Sequence, residues 1–455
     1  MTAADSPFSS RPVARIVALA WPILVGQLAV IGYGVIDTAM VSRYSATDLA
    51  ALSIGVSIYV SISVGASGVL LALSPVIGQL FGAKRFDTIG AELKQGVWLA
   101  LLLSLIGSLI LLFPQPLLAL AQTSPELNAK ASFYLQALAC SLPAALGFRV
   151  YAAFNNAVAR PKAVMLIQVS ALLLKIPLNA WFIFGGFGLP AFGGPGCAIA
   201  TAISAWAALI AAWIALRRSP FYRMFHLFGS GFVAPQWRAL RTLLALGIPM
   251  GLGYLIEVSA FTFMALFIAR LGANILAGHQ VTANFVTVLY MLPLSIASAT
   301  GTLVAHALGA GDAAAARKMS RNGIALAGLL AAVTGALVFL LRDGIVRAYT
   351  PDATIIAAAL PLYLFVGVYH FFDALQVSAA YVLRAYKIAL MPTIIYAVML
   401  WGVGLGGGYV LGFDLFHLLP SALTGAAGFW LGNTASVALA AAGLLWYLRT
   451  VQKKN

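Results

Sequence analysis

The chain has 455 residues, of which 62% are hydrophobic and only 9% charged, with a mean hydropathy of +0.97. A water-soluble domain of this length carries about a quarter charged residues, so the composition excludes a soluble globular protein and points to lipid as the solvent. The formal charge of +15 does not indicate nucleic acid, because the basic residues sit in short loops between apolar runs rather than along one polar face.

In chain order, Arg11 and Arg15 precede an apolar run from Ile16 to about Val41. That run is too long for the core of a signal peptide and has no small-residue cleavage site, so it is expected to be a retained first membrane helix. Eleven further segments begin near Leu49, Leu93, Glu126, Ala163, Gly196, Leu240, Asn274, Ser320, Ala353, Ala389 and Ser421. Gly, Ala and Leu dominate and no alternating barrel pattern occurs, so the segments read as helices. The expected fold is an all-α membrane protein with twelve transmembrane helices in two pseudo-symmetric six-helix bundles. The expected divisions are a cytoplasmic N-terminus at 1–15, a first half at 16–216, a linker at 217–239, a second half at 240–448 and a cytoplasmic C-terminus at 449–455. Cys140 and Cys197 form no CxxC pair, so neither a zinc site nor a disulfide framework is indicated.

Orientation follows from the 27 Lys and Arg residues. Five of them (Arg43, Lys130, Arg270, Arg342 and Arg347) lie in one alternate set of loops, and Arg149 and Lys175 fall within helices. The rest lie in the other set, which also holds both termini. That set is cytoplasmic by the positive-inside rule.

The sequence also repeats itself. Trp21-Pro22, Arg43 and Gly82-Ala83 recur as Ile248-Pro249, Arg270 and Gly309-Ala310, each displaced by 227; Phe148 and Arg160 recur as Phe372 and Arg384, displaced by 224. Six helices per repeat give both halves the same orientation, a plan that places a substrate cavity at the repeat interface.

Of the twelve acids, Asp37, Glu257 and Asp373 lie well inside membrane segments. An ionised carboxylate there costs roughly 2.5–3.5 kcal/mol on insertion scales, so such groups face a cavity, pair with a cation or carry a proton. At the equivalent repeat positions stand Met264, Val30 and Arg149, so the shared scaffold does not require the acids. Lys175 is a mid-helix cation. Asp37 lies roughly 9 Å from its helix end and Lys175 roughly 15 Å from its own, a difference a lysine side chain can cover if the two helices are neighbours. A Lys175–Asp37 pair is therefore expected. His279 reads as a helix-contact histidine rather than a ligand. Pro22, Pro177 and Pro249 fall within helices, where they free carbonyls and permit bending.

The stretches GYGVIDTAMVSR, GAKR, RPKAVM, IPLNAWFIFG, GGPGCAIATA, YLIEVSAF, GHQVTANF, MLPLSIASATGTLVAHALGAG and FDALQVSAAYVLRAYK, in order along nearly the whole chain, resemble the NorM branch of the multidrug and toxic compound extrusion (MATE) family, of the MOP superfamily. The resemblance implies antiport in a bacterial inner membrane, by alternating access: Na⁺ or H⁺ enters while a cationic amphipathic drug or dye leaves. It implies no cofactor, no enzyme activity and a monomer in the lipid bilayer. It also implies a cation-coupling site at Glu257, Tyr290, Tyr369 and Asp373, with Glu257, Tyr290 and Asp373 as ligands if the ion is Na⁺. Carboxylates and tyrosines suit that role as hard oxygen ligands and cation–π faces. In the first half it implies a coupling role for Asp37, with Tyr33 one turn earlier. Some branches oppose that aspartate with an Asn and an Asp; here the aligned residues are Lys175 and Asn179, a departure that sets a cation and a non-titrating amide opposite Asp37. Ser57 and Gln280 match cavity-lining positions.

A lipid-linked oligosaccharide flippase of the same superfamily is the alternative. Those proteins often hold pyrophosphate with several cavity basic residues, and only Arg149 and Lys175 are candidates here. No GxxxxGK[ST] stretch supports an ATP-driven exporter, and no HExxH or paired His–Asp motif supports an intramembrane enzyme.

Overall fold

A computed structural model describes residues 11–120, 124–186, 188–228, 231, 233–417, 420 and 423–454. Among them, twelve helices are long and apolar enough to cross a membrane: α1 Pro12–Tyr44, α2 Ala46–Gly82, α3 Phe86–Leu112, α4 Pro125–Ala157, α5 Pro161–Phe184, α6 Gly194–Arg218, α7 Trp237–Ala269, α8 Ala273–Gly309, α9 Ala313–Tyr349, α10 Ala353–Ala385, α11 Leu390–Gly412 and α12 Gly425–Lys454. Each matches an expected segment. The expected start of the twelfth, near Ser421, lies outside the described residues, as do positions 1–10 of the N-terminal division and 229, 230 and 232 of the linker.

Two helices begin seven residues, nearly two turns, before their apolar runs. α9 starts at Ala313 rather than Ser320, because Asp312 caps it, accepting from the Ala315 amide at 2.8 Å, and the Ala-rich turns that follow favour helix whatever their charge. α3 likewise starts at Phe86 rather than Leu93. Ser45 and Ser124 cap α2 and α4. Asp352 caps α10, where the Thr354 hydroxyl and amide hold its carboxyl below the ordinary range. Proline interrupts α1 at Pro22, α4 at Pro143, α5 at Pro177, α7 at Pro249 and α8 at Pro293.

The chain forms two compact units. One comprises Leu252 onward together with the chain up to Leu24; the other is Val25–Gly251. The sequence repeat runs 16–216 and 240–448, whereas the packing units divide inside α1 and α7. Both divisions fall two residues after a proline, Pro22 or Pro249, where a backbone hydrogen bond is missing. In the Val25–Gly251 unit α4 is central, packed by α2, α3 and α6, with α5 on α6. In the other unit α10 is central, packed by α8, α9 and α12, with α11 on α12.

Close helix approach depends on glycine. A Cβ on Gly247 would sit 2.4 Å from the Val69 carbonyl oxygen, and one on Gly251 2.8 Å from that of Gly65, so this GxxxG pair lets α7 lie against α2. On α12, a Cβ on Gly428 would meet the Gly412 amide at 2.7 Å and one on Gly432 the Gly408 amide at 2.6 Å. These glycines join α11 and α12 backbone to backbone.

Candidate functional site

In the Val25–Gly251 unit, α1 and α5 bring three expected residues together. Asp37 is 7% exposed and Lys175 2%. Lys175 Nζ donates to Asp37 Oδ2 at 2.7 Å, and Asn179 Nδ2 donates to Asp37 Oδ1 at 2.7 Å, so each carboxylate oxygen has a donor. Asn179 follows Lys175 by four residues, which puts both on one face of α5. Lys175 Nζ also donates to Thr201 Oγ1 of α6 at 2.8 Å and stands 5.2 Å from the centre of the Tyr33 ring. The Tyr33 hydroxyl itself turns away, donating to the Gln168 carbonyl at 3.1 Å. The expected Lys175–Asp37 pair is thus present, embedded in a wider network. Thr201 was not singled out from the sequence; its only signal is a hydroxyl inside the apolar stretch GCAIATA.

In the other unit, α7, α8 and α10 assemble a second cluster. Asp373 is 3% exposed, and its Oδ1 accepts from Gln376 Nε2, one turn on, at 2.8 Å. Glu257 is in electrostatic range of Asp373 and of Arg384. Tyr290 and Tyr369 both sense Glu257 and Asp373. Tyr369 is 5% exposed and meets Trp430 and Phe261 edge-on, at 5.9 and 6.1 Å between ring centres. Trp430 donates to His279 Nδ1 at 3.2 Å, which makes His279 a helix-contact residue. Glu257, Tyr290, Tyr369 and Asp373 therefore form one neighbourhood of two carboxylates and two tyrosines. Among the described residues no group of three or more His, Cys, Asp or Glu forms; a cation here would meet mostly hard carboxyl, hydroxyl and amide oxygens.

Arg384 corrects an expectation. Counted above among loop residues, it is a buried residue of α10, 6% exposed. Its guanidinium donates to the Tyr254 hydroxyl at 3.3 Å and lies over the rings of Tyr254 and Tyr381, whose hydroxyls are 2.7 Å apart. Its neighbours in RAYK gave no hint of this, because burial at a helix end depends on which helix faces it.

Ser57 and Gln280 enter neither set of contacts just described. Ser57 is exposed on α2 and donates to the Ser53 carbonyl at 2.9 Å; Ser53 and Ser61 are bonded in the same way, forming an exposed hydroxyl row. Gln280 is exposed on α8, about 15 Å along the helix from Tyr290. Arg149, half-buried on α4, takes part in none of the ion pairs among the described residues.

Twelve apolar spans, a duplicated helix plan and carboxylates sunk into the span of each unit define a polytopic membrane transporter. The MatE family model matches residues 22–181 and again 249–410, once in each repeat. The chain belongs to that family. It is 42% identical to the "Probable multidrug resistance protein NorM" of Aromatoleum aromaticum, over 99% of this chain and 97% of that one. It is 36% identical to the multidrug resistance protein PmpM of Pseudomonas aeruginosa, over 92% and 87%, and 36% identical to MdtK of Pectobacterium atrosepticum, over 97% and 96%. Among solved structures, a mutant of the Vibrio cholerae MATE transporter VcmN superposes with a TM-score of 0.89 at 17% identity, over 98% of each chain. An outward-facing multidrug resistance MATE transporter of the MOP superfamily superposes at 0.87 and 20%, over 98% and 97%.

Proposed function

We propose that the protein is a secondary active multidrug efflux antiporter of a bacterial inner membrane, exchanging H⁺ or Na⁺ for cationic organic compounds by alternating access. The observation that carries this is the neighbourhood of Glu257, Tyr290, Tyr369 and Asp373, in which Tyr369 and Asp373 are buried and Glu257 and Tyr290 half-buried. Two carboxylates within electrostatic range inside a membrane span are stable only when a proton or a cation offsets their charge, so an ion gradient can load and unload them. The names of its relatives as multidrug resistance proteins support the drug side of the exchange. In this reading the duplicated halves are 16–216 and 240–448, both termini are cytoplasmic, the protein acts as a monomer, and Ser57 and Gln280 line the drug path.

The flippase alternative is weaker, because Lys175 is committed to Asp37 and Thr201. Arg384 is likewise engaged, with Tyr254 and Tyr381, which leaves Arg149 for a pyrophosphate.

The test is dye uptake into proteoliposomes with Na⁺ and pH gradients imposed separately, using Glu257→Gln and Asp373→Asn. Each variant removes a ligand charge and replaces an exchangeable carboxyl by an amide. Each is expected to remain folded and lose gradient-driven uptake. Gradient-driven uptake retained in both would overturn the assignment.

A further inference from the structure

In the unit that carries Asp373, α9 and α12 each pack on α10 and leave a groove of about 810 Å³ between them. Its rim is cationic: Arg317, Lys318 and Arg321 project from α9 and Arg449 from α12, and no Asp or Glu lines it. Arg317 donates to the Gln452 carbonyl at 3.2 Å. Among the described residues neither it, Arg321 nor Arg449 enters an ion pair. Below the rim the wall turns apolar, through Ile324 and Leu329 on α9 and Leu445 and Leu448 on α12, with Phe371 and Leu375 of α10 as the floor. From Arg321 to Leu329 this wall runs about 12 Å along the helix. Gly328 keeps the floor open, since a Cβ there would meet Leu375 at 3.1 Å. Leu329 is 63% exposed and Trp446, beside Leu445, 68%. In a membrane-spanning helix such exposed apolar side chains face acyl chains.

We infer that this groove binds an anionic phospholipid with two phosphates, of the cardiolipin type, from the leaflet at the basic end of the bundle. Its amphipathic profile selects a lipid over a soluble anion, because a free phosphate has no use for 12 Å of apolar wall. The cations stand on two facing walls and exceed what one phosphate neutralises, and the arginine forks suit phosphate oxygens. The bound lipid has a mechanical consequence. Phe371 and Leu375 lie on the same turns of α10 as Asp373, on the opposite side, so an acyl chain in the groove supports the helix that presents that carboxylate. Only the name of the leaflet and this last consequence rest on the proposed function; the binding itself does not.

The test uses the purified full-length protein in detergent, with native mass spectrometry and thermal unfolding as readouts. Wild type is expected to retain cardiolipin through delipidation and to unfold at higher temperature when it is added back, and phosphatidylethanolamine is expected to do neither. The R317A/R321A/R449A variant should bind cardiolipin roughly tenfold or more weakly. The R317K/R321K/R449K variant, which keeps the charges, should retain most of the binding and shows that the positions tolerate substitution. K84A/R85A, which removes two exposed basic residues elsewhere, should bind like wild type. Equal cardiolipin binding by wild type and the triple alanine variant would overturn the proposal, as would equal weakening in K84A/R85A. An equal thermal shift from pyrophosphate at matched phosphate concentration would identify a soluble-anion site instead.

Discussion

Asp37 and Lys175 show how a single side chain changes what a membrane carboxylate can do. Each would be costly alone in the span; at 2.7 Å, with Asn179 and Thr201 completing the hydrogen bonds, the pair sits in the helix bundle as a neutral unit. Lys175→Ala leaves the carboxylate without its ammonium and should destabilise the protein by about 3–5 kcal/mol, read as lower thermal stability in detergent, and should change the pH dependence of efflux. Asp37→Asn alone should impair efflux. Because the two groups act as one unit, the double variant Asp37→Asn/Lys175→Ala should lose less than the sum of the single losses; strict additivity would show that the pair is not coupled. Asp48 illustrates the same rule at a helix end. Only 2% exposed, it meets Lys130 at 2.6 Å and accepts from the Gly194 amide at 2.8 Å, at the start of α6. Gly193, at φ +62°, must be glycine there because a Cβ would collide with the Asp48 carboxylate.

At the scale of the helix, hydrophobic burial does not bring spans together in lipid, so packing falls to small residues that let backbones touch. The α11–α12 contact at Gly404, Gly408 and Gly412 against Gly428, Gly432 and Ser436 is such a surface. Gly432→Val should overpack it and cost about 1–3 kcal/mol or more, measured by thermal unfolding. Gly402→Val, on α11 two residues before Gly404 and with nothing within 4 Å of its Cβ position, should be close to neutral. If both variants unfold alike, the loss comes from the change of residue type in the helix and not from the contact. This surface overlaps, at Gly404, an eleven-residue π-helical stretch, Ala397–Gly407, which hydropathy does not reveal because its composition is that of any apolar span.

For the whole molecule, the proposed topology rests on the uneven distribution of Lys and Arg. Moving Arg384 from a loop to the buried face of α10 removes one residue from the cytoplasmic count and leaves the excess intact. A fluorescent protein fused after Asn455 should therefore fluoresce, since it folds only on the cytoplasmic side. Alkaline phosphatase inserted at Pro351, in the α9–α10 turn, should be active. A dark C-terminal fusion together with an inactive insertion would invert the topology.

The twelve spans are legible in the residues alone, because a segment's partition into lipid depends on its own summed hydropathy, and so is the duplication, which needs only internal comparison. So are Asp37, Lys175, Glu257 and Asp373, because a charge inside an apolar run is visible without any neighbour. What surrounds those charges is set by how the helices pack. Thr201 reaching Lys175, Gln376 on Asp373, Trp430 against both Tyr369 and His279, and Arg384 held among tyrosines depend on which helices are adjacent and how each is rotated. The division of α1 and α7 between packing units, and the facing arginines of α9 and α12, likewise come from packing between helices far apart in sequence. Hydropathy is a property of one segment, whereas a contact belongs to two segments and their relative rotation, and in a bundle of uniformly apolar helices that rotation is fixed by a few small and polar residues.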